Sequence, residues 1–319
     1  MTTFLTPQQR AGRTSAAVDA AVAAGRELGL TVTEPMVLHD VFSVVVHLAP
    51  APVVARIPTV LPHPEDLIAL ARRQRNELHV TRWLADRGVP VVAPSPLVPH
   101  EPVQRDGFSM TLWSFVPHDR DREPDYVANA ESVADLHAAM RPYPGSLGFL
   151  SAAEPQFIAE SLARLDRHPA LIGAAELDRA RREWQILEPF VRSRTAFQDR
   201  FPGIDLQPIH GDSPPANIFS GADGDLYADF ELVTLGPVEW DLAALGPEHE
   251  SAYNRGARRN GTRQLDEEVL GFVDAVGMLR VVATLTLVPQ LPELMEYLEP
   301  AVDQWRRMPF AGGVTSRHG

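Results

Sequence analysis

Histidine, aspartate and asparagine stand at the spacing H-x-D-x-x-x-x-N in Ile209-His210-Gly211-Asp212-Ser213-Pro214-Pro215-Ala216-Asn217. A further carboxylate, Asp229, follows in Tyr227-Ala228-Asp229-Phe230-Glu231. The spacing sets an acid at the start of a short loop and a carboxamide at its end. Phosphoryl transfer calls for such a pair, one group to take the proton of an acceptor hydroxyl and an amide oxygen to hold a metal ion. Asp229 adds a hard oxygen ligand of the kind Mg2+ prefers. Between them Gly221-Ala222-Asp223-Gly224 reads as a turn joining strands at 217–219 and 226–229, a hairpin that would fold Asp229 back beside Asn217. A lone Asp with Asn five residues on is an ordinary capped turn; it is the ordered set that points to chemistry.

Residues so placed need elements to hold them. At 319 residues the chain is long enough for two cores. A net charge of -13 argues against nucleic-acid or anionic-membrane partners, which require basic patches. Cysteine is absent, which removes disulfides and thiolate metal sites, and all 29 basic residues are arginine. The N-terminus has no apolar core of a secretory signal and no apolar run reaches bilayer length, so a cytoplasmic location is expected.

Helix signals cover 8–28, between Pro7 and Gly29, and 64–87, closed by Gly88. Val- and Leu-rich runs at 30–38, 43–48, 53–58, 91–98 and 108–116 read as five strands of an antiparallel sheet. Pro117 and the charged, turn-like 118–124 mark a boundary. Beyond it helices are expected at 126–140, 155–166, 175–192, 265–287 and 292–305, interrupted by the hairpin, with a loose tail at 309–319. The fold class is α+β, in two lobes: 1–116 β-rich, 117–319 helical.

With His210-Gly211-Asp212, Asn217 and Asp229 in order, and Glu239-Trp240-Asp241-Leu242-Ala243 after them, the chain resembles the aminoglycoside phosphotransferase and choline kinase family, relatives of the protein kinases. The resemblance implies a protein-kinase-like fold, ATP (with GTP as an alternative) and Mg2+, and a small-molecule acceptor with a hydroxyl. It implies Asp212 as catalytic base and Asn217 and Asp229 as metal ligands. His210 would then hold the loop's shape, and Asp241 would bond the loop from below or cap a helix. In the first lobe it puts the phosphate-binding cation at Arg56, where relatives often carry Lys; Arg stays charged and binds phosphate oxygens in a fork. Glu77 is its expected partner. Ser43 stands where a phosphate-covering loop would lie. Met110-Thr111-Leu112-Trp113-Ser114-Phe115-Val116 resembles the hinge strand, with the base bonded to backbone near Ser114 and Val116.

The chain departs from the family inside the loop, where Ser213-Pro214-Pro215-Ala216 replaces the usual apolar residue, His or Tyr and Pro-Gly. That leaves the acceptor open. Glu248, His249, Glu250, Tyr253 and the Glu293, Glu296, Glu299, Asp303 series would face it and suit a cation, unless they are solvated helix faces. Two other readings stand beside the kinase. One is a nucleotide-binding, pseudokinase-like regulator, motivated by Arg56 and the altered loop. The other is a metal-dependent phosphoesterase using His210, Asp212 and Asp229, which would want more clustered ligands. Oligomeric state is not read from the sequence.

Overall fold

The computed structural model describes residues 5–61, 67–118, 122–222 and 224–314. Its helices are α1 (Pro7–Glu27), α2 (Leu67–Ala85), α3 (Tyr126–Met140), α4 (Pro155–Arg164), α5 (Ala174–Arg192), α6 (Arg194–Arg200), α7 (Pro247–Arg259), α8 (Glu267–Thr284) and α9 (Met295–Arg307). Its strands are β1 (Val32–Asp40), β2 (Ser43–Pro50), β3 (Val53–Pro58), β4 (Val103–Arg105), β5 (Phe108–Ser114), β6 (Gln207–Ile209), β7 (Ile218–Gly221), β8 (Gly224–Tyr227) and β9 (Thr234–Gly236). The chain divides into two compact units. A sheet unit holds Phe4–Pro124 with Asn217–Glu231, and a helical unit holds Asp125–Ala216 with Leu232–Gly319. The hairpin thus groups with the sheet, whereas the sequence suggested a single boundary after 116.

In the sheet unit the strand order is β1-β2-β3-β5-β4, antiparallel throughout. Alternation along the strands sorts the side chains by face. Val44, Val46 and Leu48 of β2, Val53, Ala55 and Ile57 of β3, and Met110 and Leu112 of β5 form one core with Ala17, Ala20, Ala21 and Ala24 of α1. The intervening residues Val45, Val54, Arg56 and Trp113 therefore look the other way. The alanines let α1 lie close on the sheet, and Thr6 starts it by exchanging side-chain and backbone bonds with Gln9.

The strand expected at 91–98 does not form. Only Val91 and Pro94 make isolated bridges, to Tyr227 and Trp113. Pro94 and Pro96 remove two donors from that run, which a ladder cannot tolerate. The fourth strand is Val103–Arg105 instead, closed onto β5 through Asp106 and Gly107 at φ 49° and 82°. An Asp-Gly pair with both residues left-handed is a tight hairpin signal that the sequence carried. Residues 62–66, at the expected start of α2, lie outside the described residues, as do 119–121 and Asp223.

In the helical unit α8 is the central element. Val269, Phe272, Val273, Val276, Leu279, Val282 and Ala283 are buried, and Phe272 packs against Phe190, Phe197 and Phe201. Contrary to expectation, one stretch does reach membrane-spanning length and hydropathy: Glu267–Leu287, mean hydropathy 1.7. Its apolar character is accounted for by burial on most sides within the unit. The tail is also less loose than expected. Phe310–Gly313 forms a short turn in which Gly312, at φ 61°, lies so close to the Gly271 carbonyl that a side chain would collide. Residues 315–319 lie outside the described residues. Two further helices, α6 and α7, and the pair β6–β9 were not anticipated.

Candidate functional site

In the sheet unit, the outward-turned residues of β2, β3 and β5 line a cavity of about 230 Å3, with Glu77 and Thr81 of α2 and Phe219, Ala228 and Asp229 of the hairpin. Gln74, Glu77 and Thr81 are a helix stripe at i, i+3 and i+7 that faces inward. Gln74 bonds the Ser109 carbonyl at 3.2 Å and the Thr81 hydroxyl bonds the Glu77 carbonyl at 2.7 Å. This locks α2 and aims Glu77 at β3. Arg56 Nη2 donates to Glu77 Oε2 at 2.6 Å, while Nη1 donates to Asp229 and lies 3.2 Å from Glu231. One guanidinium thus serves three carboxylates.

Burial pushes the Glu77 carboxyl up to about 8; Arg56 opposes this, and Asp229 and Glu231 add to it. Burial alone would lower Arg56, but Asp229, Glu77 and Glu231 outweigh it and hold the guanidinium above its ordinary range. Across the hairpin the Ala228 N–H donates to the Asn217 carbonyl at 2.9 Å, which makes Asn217 and Asp229 near neighbours. Asp229 takes φ 60°, a left-handed conformation unusual for a residue with a side chain.

The hinge candidates line the same cavity. Ser114 and Val116 are on its wall with Trp113 and Phe115. The Ser114 N–H is committed to the Ala93 carbonyl at 3.0 Å, and that of Phe115 to Pro52 at 3.0 Å. Phe115 stacks flat on His47, centroids 3.8 Å apart. Ser43 is half-buried on the strand face that carries Val45 but is not part of the cavity wall.

In the helical unit, Asp241 is fully buried and grips the loop that carries Asp212. Its Oδ2 accepts from the His210 N–H at 2.9 Å and its Oδ1 from the Gly211 N–H at 2.7 Å. His137 Nε2 donates to Oδ2 at 2.8 Å, so a neutral ring leaves Nδ1 to accept from the Tyr253 hydroxyl at 2.9 Å. Trp240 Nε1–H donates to the Gly211 carbonyl at 2.9 Å. Gly211, at φ 91°, leaves no room for a Cβ against the Leu232 carbonyl. His210 is buried and its Nδ1 accepts from the Asp212 N–H at 3.3 Å, a bond that shapes the loop. Asn129 of α3 holds the Pro215 carbonyl at 2.9 Å.

Asp212 is itself partly exposed, with Arg280 Nη1 3.7 Å from its Oδ1. Tyr253, expected near an acceptor, is buried to 1% exposure. Its hydroxyl serves His137, so it is part of the loop's support and cannot contact a ligand. Asp303 pairs with Arg306 on the exposed side of α9, and Glu296 and Glu299 are exposed there as well. His137, Arg280 and Glu154 were not singled out from the sequence. A lone His in the Ala-rich α3 and an Arg in the apolar α8 carry no local signal; their partners lie more than 60 residues away.

The chain belongs to the phosphotransferase enzyme family (APH), whose family model matches residues 42–309. Solved structures share the fold. An amicoumacin kinase in complex with AMP-PNP, Ca2+ and Ami is similar with a TM-score of 0.61 at 14% identity, over 93% of this chain and 94% of that one. A choline kinase from Streptococcus pneumoniae gives 0.57 at 15%, over 89% and 95%. An aminoglycoside phosphotransferase from Streptomyces rimosus gives 0.54 at 19%, over 83% and 97%. A search of curated protein sequences finds no significant match.

Proposed function

We propose that the protein is an ATP-dependent small-molecule kinase that transfers the γ-phosphoryl group to a substrate hydroxyl. The observation that carries this is Arg56, seated in the cavity wall with Glu77 behind it and Asp229 beside it. A cation fixed from one side, in a cavity with apolar walls, suits a polyphosphate attached to an aromatic base. The base would lie between Val45, Val54 and Phe219, with its edge toward the backbone of Ser114 and Val116. The amicoumacin kinase, solved with AMP-PNP and Ca2+, supports a nucleotide and a divalent cation here.

Asn217 and Asp229 supply one amide oxygen and one carboxylate, a donor set that fits Mg2+, which takes one or two carboxylates and leaves positions for phosphates. Among the described residues no three His, Cys, Asp or Glu side chains form a metal-holding group, so phosphate oxygens would complete the shell. Bound there, Mg2+ would neutralise charge on the phosphates. It would also relieve the carboxylate excess around Arg56, freeing that guanidinium for the nucleotide.

Asp212 acts on the acceptor. Its carboxylate orients the hydroxyl and takes the proton as the new P–O bond forms and the bond to the β-phosphate oxygen breaks, giving ADP and a phosphate ester. The loop supplies positioning: with two backbone N–H groups fixed by Asp241, Asp212 has little freedom to drift. Ser43, off the cavity wall, is left at most a contact at its rim.

The test is direct. Mg2+ with ATP or GTP should raise the melting temperature, and EDTA should abolish the rise. Asp212→Asn should bind nucleotide as the parent does and lose transfer by ~1,000-fold or more in an acceptor screen that includes amino sugars and amino alcohols. Full activity in Asp212→Asn refutes the base assignment, and nucleotide binding with no transfer to any acceptor points to a regulatory module.

A further inference from the structure

Arg280 is a cation placed beside the carboxylate that the kinase reading makes the base. It comes from the last third of α8, whose other charged residues are Glu267, Glu268 and Asp274, and Glu154 holds it. Nε and Nη2 both lie 3.1 Å from Glu154 Oε2, which leaves Nη1 directed at Asp212, 3.7 Å from Oδ1. That separation is an ion-pair distance, too long for a direct hydrogen bond.

A second observation concerns Glu154. It takes φ 49° and ψ 56°, immediately before Pro155, and Leu150, four residues earlier, takes φ 41°. Neither is glycine, and left-handed backbone at such residues is strained, so it persists only where its surroundings impose it. The surroundings are visible. Leu150 N–H donates to the Leu235 carbonyl at 2.9 Å, and Ser151 N–H to Thr234 Oγ1 at 2.9 Å. Ala152 of the same turn packs where a Cβ on Gly211 would lie, 3.1 Å away. One strained turn therefore buttresses the catalytic loop and presents the carboxylate that steers Arg280.

We infer that Arg280, steered by Glu154, contacts the phosphoryl group during transfer and neutralises charge on its oxygens. The inference rests on the kinase reading of Asp212. A hydroxyl bonded to Asp212 must have the incoming phosphorus on its other side, within a few ångströms of that carboxylate. A guanidinium 3.7 Å from Asp212 is within reach of the equatorial oxygens, which gain exposure as the group passes between oxygens. The role is independent of which acceptor is used, because it concerns only the transferred group.

The experiment uses water as acceptor and needs no known substrate. Mg2+–ATP hydrolysis and binding of Mg2+–ADP, with and without aluminium fluoride, are measured for the full chain, Arg280→Ala, Arg280→Lys and Glu154→Gln. Arg280→Ala should bind Mg2+–ADP as the parent does, hydrolyse ATP about 100-fold more slowly with KM unchanged, and lose the tightening that aluminium fluoride gives the parent. Added guanidinium ion should restore part of the rate, and Arg280→Lys and Glu154→Gln should fall between. If Arg280→Ala and Arg280→Lys keep the parent's rate and aluminium fluoride response, the inference is overturned. If guanidinium rescues nothing and ADP affinity falls in step with the rate, Arg280 is structural and the inference is likewise overturned. Failure of the parent to bind Mg2+–ADP would instead refute the kinase reading, and with it this one.

Discussion

Two charged clusters of this molecule are built on opposite plans. Around Asp241 a single carboxylate meets three donors, two backbone N–H groups and His137. Around Arg56 a single cation meets three carboxylates, Glu77, Asp229 and Glu231. The first is closed: every lone pair in use belongs to the fold, and the loop it grips has one shape. The second sets three carboxylates against one cation, and Glu77 is forced up by burial. A cluster of that kind is stable in the fold yet poised to take more positive charge. On the kinase reading proposed above, rigidity falls on the side that would hold the base, and electrostatic slack on the side that would exchange a charged ligand.

Substitutions can break that contrast. The largest effect is expected for Asp241→Ala, which leaves two buried N–H groups and His137 without their acceptor. It should cost roughly 3–5 kcal/mol of stability and lower transfer by more than ~1,000-fold, measured by denaturant unfolding and turnover. Unfolding unchanged from the parent would show that the loop does not depend on this residue. Arg56→Gln should act the other way round. Nucleotide affinity should drop by ~10–100-fold by calorimetry, since a forked phosphate contact is lost. Stability should change by only ~1–2 kcal/mol, since the Glu77 carboxyl can protonate rather than stay a bare charge. A stability loss as large as that of Asp241→Ala would erase the distinction.

The smallest effect sharpens the comparison inside the helical unit. Asp274 has a single backbone donor, Ala244 N–H at 2.8 Å, and burial first, then Glu250 against that bond, pushes its carboxyl up to about 6. An acid raised in the folded state binds more protons there than in the unfolded chain between its two pKa values. Its contribution is therefore full below about 4 and lost as the pH climbs through 6. Asp274→Asn keeps an acceptor for Ala244 and removes the titration. It should nearly match the parent near pH 4 and exceed it near pH 7.5 by roughly 3 kcal/mol in unfolding free energy. Parallel stability–pH curves for the two proteins would refute this.

The order His210, Asp212, Asn217, Asp229, Asp241 was legible because each residue sits in a short segment with its own spacing, and the helices because capping and periodicity are local. The α+β class followed from them. What was not legible is what depends on distance along the chain. Prolines at 94 and 96 outvoted a Val-rich run, and the Asp106-Gly107 turn made a strand of only three residues that hydrophobicity did not mark. Tyr253 reads as a possible ligand contact until His137 is seen to occupy its hydroxyl. Arg280 reads as one arginine among 29 until Glu154 and Asp212 are found on either side of it.

The return of Asn217–Glu231 to the sheet has a consequence for how the chain folds. Arg56 meets Asp229 across 173 residues. During synthesis the sheet must therefore stand with its guanidinium facing Glu77 alone while most of the second half is still being made. Only after residue 231 emerges can the hairpin close onto it, a late and entropically expensive contact. A fragment ending at Pro124 would carry the sheet's core without the hairpin, so the cavity wall formed by Phe219, Ala228 and Asp229 exists only in a chain that runs on past residue 229.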